Sequence, residues 1–95
     1  MLKFMGIHTF APNAFTHDQV CGLAKAAQED ATIHGYRSFL SLSEGKAVCI
    51  MEAPDRQALA DWFDRMHLPY DSITEVEMEG DHGQMQDVGH LAQMA

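Results

Sequence analysis

Three side chains of this sequence could combine into a reactive or binding centre: His8, Cys49 and Glu75. Imidazole nitrogen, thiolate sulfur and carboxylate oxygen are all donors to divalent ions, and nitrogen with sulfur suits nickel, zinc and copper. Each residue also has a plainer use. A free cysteine often fills a core as a small apolar group, and a histidine and a glutamate on adjacent strands can hydrogen-bond each other. Cys49 has no Cys-x-x-Cys partner, and neighbouring acids would raise its pKa, so a redox or nucleophilic thiol is the weakest reading. The other histidines are more peripheral. His17 reads as a solvated first-turn residue, and His34 and His67 fall at helix ends, where a cationic side chain suits the dipole. His82 and His90 share the last stretch with Asp81 and Asp87, a tract that gathers metal weakly and otherwise reads as a solvated tail.

Composition narrows the partners. The chain has 95 residues, 46% of them hydrophobic, enough for one domain with a core. Fourteen acidic residues against six basic ones give a net charge of −8, which argues against nucleic acid and anionic membrane surfaces. No apolar run is long enough to span a bilayer, and "MLKFMGIHTF" is too short and polar for a signal peptide. Two cysteines make no disulfide framework, so free thiols in a reducing cytoplasm are expected.

Whether the three donors meet depends on the elements that carry them. "LKFMGIHTF" (2–10) reads as a strand. "THDQ" opens a helix with capping-box spacing between Thr16 and Gln19, and an apolar stripe from Val20 to Ala31 carries it over 16–34. "YRSFLSL" (36–42) and "KAVCIME" (46–52) flank a Gly45 turn and form a hairpin. Pro54 and Asp55 start a second helix with Ala58, Leu59, Trp62, Phe63 and Met66 on one face. "ITEVEME" (73–79) alternates as a fourth strand. The order β-α-β-β-α-β predicts an α+β, ferredoxin-like domain over 1–79: a four-stranded antiparallel sheet, order 4-1-3-2, with two helices on one face. Residues 80–95 are expected to be a flexible tail or a short helix.

Period-two alternation then sorts the faces. Met5, Ile7, Val48 and Ile50 are expected under the helices. Phe4, Gly6, His8, Ala47, Cys49 and Met51 are expected on the open face, where His8, Cys49 and Glu75 would fall together. A one-residue slip would undo that grouping. A bare apolar sheet face also predicts a homodimer through it, with room for a cleft between subunits that a small ligand could enter.

The stretches "FMGIH", "GKAVCIMEAPD" and "LPYDSITEVE" resemble a family of small bacterial nickel-binding-protein-like domains of ferredoxin-like fold. The resemblance covers about 3–79, and Cys49, Glu52, Ala53 and Pro54 are its most specific part. It implies a dimer and, for some members, transition-metal binding. It matches His8 to a strand-one histidine, Cys49 to a strand-three cysteine and His67 to a histidine late in helix two. The chain departs from the pattern at Gly6, where the family has Asp, and at Phe63, where it has His. "GLAKAAQED" also lacks the Ala-His element of helix one.

The expected function is a small dimeric protein binding a divalent transition metal, nickel-like, through His8, Cys49, Glu75 and His67. One alternative is a small-ligand or weakly catalytic dimeric domain without metal, with His8 as base and Tyr36 or Tyr70 as donor. Another is an interaction domain with no site. No Ser-His-Asp pattern, phosphate loop or zinc-finger spacing is present, which favours binding over catalysis.

Overall fold

The computed structural model describes residues 1–93. Its elements are β1 (Leu2–Thr9), α1 (His17–Glu29), β2 (His34–Ser41), β3 (Lys46–Ala53), α2 (Arg56–Arg65), β4 (Ser72–Glu75), β5 (Met78–Asp81), β6 (Gln84–Asp87) and α3 (His90–Gln93). The fold is α+β. An antiparallel four-stranded sheet has the order β2-β3-β1-β4, which from the β4 edge runs 4-1-3-2. No helix is long and apolar enough to cross a membrane among the described residues.

Local chemistry sets the helix ends. The Thr16 side chain accepts from Gln19 N at 3.1 Å and the Gln19 side chain accepts from Thr16 N at 2.7 Å, the reciprocal capping box. α1 ends at Glu29 rather than at 34, because the Asp30 carboxylate accepts from Thr32 N and Ile33 N and draws the chain out of the helix. Asp55 caps α2 by accepting from Ala58 N.

The C-terminal end differs from expectation. The single strand over 73–79 is two short strands, β4 and β5. Over residues 80–93 the expected tail or short helix is instead a hairpin followed by a helix: β5 pairs with β6, and α3 follows; the expectation for residues 94–95 lies outside the described residues. His82 (φ 48°) and Gly83 (φ 85°) link Asp81 to Gln84, the two positive-φ residues of a tight hairpin turn.

The faces of the sheet are the reverse of those expected. Phe4, Gly6, His8, Ala47, Met51 and Ala53 are buried under the helices, with Cys49 half-buried against the same core. Met5, Ile7, Val48 and Ile50 are only half-buried, on the uncovered face with exposed Phe39. Alternation fixes the period of a strand but not its phase, and both faces of β1 and β3 carry apolar side chains. Packing against α2 decides. Phe63, fully buried, stands over Gly6 so closely that a Cβ there would lie 2.9 Å from the ring. The glycine on this face leaves room for the Phe63 ring to approach the sheet.

Candidate functional site

His8 is the buried polar residue of the core, 1% exposed near the end of β1. Its ring packs edge-on against Phe63, centroids 4.9 Å apart. The loop between α2 and β4 sets its hydrogen bonding. Asp71 N donates to Ile7 O at 2.7 Å and Thr9 Oγ1 donates to the Asp71 carboxylate at 2.6 Å, which holds the loop against β1. The carbonyl of Pro69 thereby lies 2.7 Å from His8 Nδ1. A carbonyl oxygen only accepts, so Nδ1 carries a proton, and in the tautomer this bond selects the lone pair is on Nε2. Nε2 is buried and has no hydrogen-bond partner among the described residues.

The ring leans over Gly6: a Cβ on that residue would come within 3.2 Å of Nε2. Gly6 lies directly opposite Cys49 in the β1–β3 register, and His8 opposite Ala47. His8 and Cys49 are therefore diagonal neighbours on one face, in the range that long side chains bridge. Burial pushes the Cys49 thiol above its ordinary pKa.

Both residues line a chamber of about 240 Å³ between α1, the sheet and α2. Its other walls are mostly apolar, including Val20, Leu23 and Ala27 of α1, Met51 of β3, and Trp62 and Phe63 of α2. α1 is a loosely seated roof: Ala27 is its one buried residue.

Glu75 and His67 lie elsewhere. Glu75 pairs with Phe4, four residues back along β1 from His8. It accepts from His90 N at 2.7 Å and His90 Nδ1 at 2.8 Å, and these bonds hold its carboxyl below the usual glutamate range. His67 is exposed and lies outside the chamber lining. It is the left-handed residue (φ 55°) that closes α2, with its own N–H donating to Asp64 O and the N–H of Leu68 to Phe63 O. The structure thus brings together His8 and Cys49, under the helices rather than on the open face, and brings neither Glu75 nor His67 to them. Among the described residues, no three His, Cys, Asp or Glu side chains form a group that could hold a metal ion.

Sequence reasoning missed two features. One is the chamber, because the α1 stripe reads the same whether it packs or roofs a space. The other is the Glu79 cluster. Glu79 accepts from Lys3 Nζ at 2.7 Å and from the Tyr36 hydroxyl, and the Lys3 ammonium sits 4.1 Å from the centroid of the Tyr36 ring. Lys3 is the main cause of the lowered Glu79 pKa.

The family model described as nickel responsive protein SCO4226-like matches residues 4–76. The crystal structure of SCO4226 from Streptomyces coelicolor A3(2) is similar, with a TM-score of 0.69 and 23% identity, covering 82% of this chain and 99% of that one. No curated protein matches the chain.

Proposed function

The chain belongs to the family of SCO4226-like, nickel responsive proteins, and we propose that it binds a divalent transition metal, nickel by preference, through His8 Nε2 and Cys49 Sγ. One observation carries this reading: a buried histidine whose Nδ1–H is fixed on the Pro69 carbonyl and whose Nε2 is buried without a partner. Metal-binding histidines are held in this way, with one ring N–H on a carbonyl and the other nitrogen free for the ion. The two donors are of the kinds nickel accepts, and they are neighbours on one face.

We read the fold as ferredoxin-like and the protein as a homodimer. The uncovered sheet face, with Met5, Ile7, Val48, Ile50 and Phe39, is the surface a second copy would cover. The metal would supply Lewis acidity and a positive charge. The protein's part is to hold a lone pair at Nε2 and to release the Cys49 proton when the ion binds. With the thiol protonated over the neutral range, affinity should rise roughly tenfold per pH unit for the proton released.

Calorimetric titration of tag-free protein with nickel tests this. The expected result is micromolar or tighter binding, lost in His8→Ala and no longer steep with pH in Cys49→Ser. Binding unchanged in both variants would place the metal elsewhere. Light scattering at low micromolar concentration checks the dimer, and a monomer there would remove it. A second reading, a small-ligand domain without metal, is favoured by the chamber itself, and binding of an apolar molecule indifferent to nickel would support it.

A further inference from the structure

We infer that the chamber beneath α1 receives the organic part of a metal chelate: an apolar, neutral, bidentate ligand that completes the coordination of an ion held by His8 and Cys49. The inference rests on the metal-binding reading and names the form in which the metal is taken.

The donor count is the first observation. Among the described residues, His8 and Cys49 are the only histidine, cysteine or acidic side chains in the lining of the chamber. A four-coordinate ion on two protein donors has two positions left, and the chamber that both residues line is the space beside them for the groups that fill those positions. The character of the space is the second observation. Its walls are mostly aliphatic and aromatic, with Gln28, Arg37 and Ser38 among the polar residues at its lining, and its volume of about 240 Å³ lies just below the usual range for small-molecule sites. Mostly apolar walls favour apolar guests, so the remaining ligands are better supplied by carbon-bearing molecules than by water. The third observation is the roof. α1 turns Val20, Leu23 and Ala27 toward the space, yet only Ala27 among its residues is buried. A helix stripe facing a gap has apolar surface still to bury, and a guest would bury it. The Gly6–Phe63 contact marks the ligand's boundary on the α2 side, because a buried ring occupies that place beside His8.

A flat, neutral, two-nitrogen aromatic chelator fits these demands, and a charged chelator such as citrate does not. The net charge of −8 adds to the discrimination, because a cationic nickel chelate is attracted where an anionic one is repelled.

The test compares aqueous nickel, the one-to-one nickel–2,2′-bipyridine complex, nickel citrate and bipyridine alone. Binding to the full chain is read by calorimetry and by the fluorescence of Trp62, the single tryptophan, which lines the chamber. The expected result is at least tenfold tighter binding of the bipyridine complex than of aqueous nickel, with a change in Trp62 emission. Ala24→Phe, which fills the chamber from α1 and leaves both donors in place, should retain aqueous nickel binding and lose the tenfold gain. Equal affinity for the two nickel forms, or a gain that survives Ala24→Phe, overturns the inference and leaves the metal reading standing. Tight binding of bipyridine alone, unaffected by Cys49→Ser, overturns it in favour of an apolar-ligand site. If neither nickel form binds, the metal reading itself fails.

Discussion

The two ends of β1 handle polar groups in opposite ways. Near its start, Lys3 and the neighbouring Glu75 and Glu79 sit at the surface, and all are matched: Lys3 and Tyr36 with Glu79, His90 with Glu75. Near its end, His8 is buried and keeps one ring nitrogen unmatched. The energetics favour the first arrangement only weakly. Solvent screens exposed pairs, which therefore contribute little, whereas a buried unmatched acceptor costs about 1–3 kcal/mol. A cost of that size in the core of a small domain is a strain on stability, and the metal reading gives it a use. The satisfied end shapes the surface, and the unsatisfied end is where a ligand would gain most.

His8→Leu breaks this contrast most sharply. It removes the orphaned nitrogen, and the Pro69 carbonyl it frees belongs to an exposed residue. We expect nickel affinity to fall at least a hundredfold while the apo protein is as stable as the parent or about 1 kcal/mol more so. Urea denaturation alongside calorimetry separates the two effects. A large loss of stability would mean that His8 is in the core for packing alone.

Gly6→Ala acts on the same end through volume. The added carbon would lie 2.9 Å from Phe63 Cζ and 3.2 Å from His8 Nε2. Phe63 is fully buried and has nowhere to retreat, so overpacking should cost about 1–3 kcal/mol in denaturant. A neutral outcome would show that the ring moves freely and that the contact does not set the phase of β1.

That phase is where the sequence was least legible. The capping box of Thr16 and Gln19, the cap at Asp55 and the β2–β3 hairpin are local, and spacing alone reveals them. The adjacency of His8 and Cys49 also follows from strand order and antiparallel register. The covered face does not. Met5, Ile7, Val48 and Ile50 are more hydrophobic than Gly6, His8 and Cys49, yet they lie on the open side. The deciding fact is the fit of one phenyl ring over one glycine, a contact between β1 and α2 that no periodicity encodes. The link between Glu75 and His90 was hidden for a similar reason. It depends on the chain turning back through His82 and Gly83, a tight-turn pair that a reading of residues 80–95 as a tail passes over.

Glu75→Gln sharpens the comparison from the other end, with the smallest effect. The glutamine oxygen can still accept one bond from His90, so the change removes charge and leaves the geometry. Global stability should fall only slightly, as for exposed pairs screened by solvent, and nickel binding should not change. The local effect is larger than the global one. Glu75 is held below its ordinary pKa by the His90 backbone and side chain, so its contribution is complete above the ordinary glutamate range and fades as pH falls through the lowered value. Amide protection at Val88 to Gln93, taken relative to the intrinsic exchange rate at each pH, should therefore fall on acidification in the parent, whereas Glu75→Gln should show low protection throughout. Equal exchange in both proteins at neutral pH would show that β5 and β6, not the carboxylate, hold α3 in place.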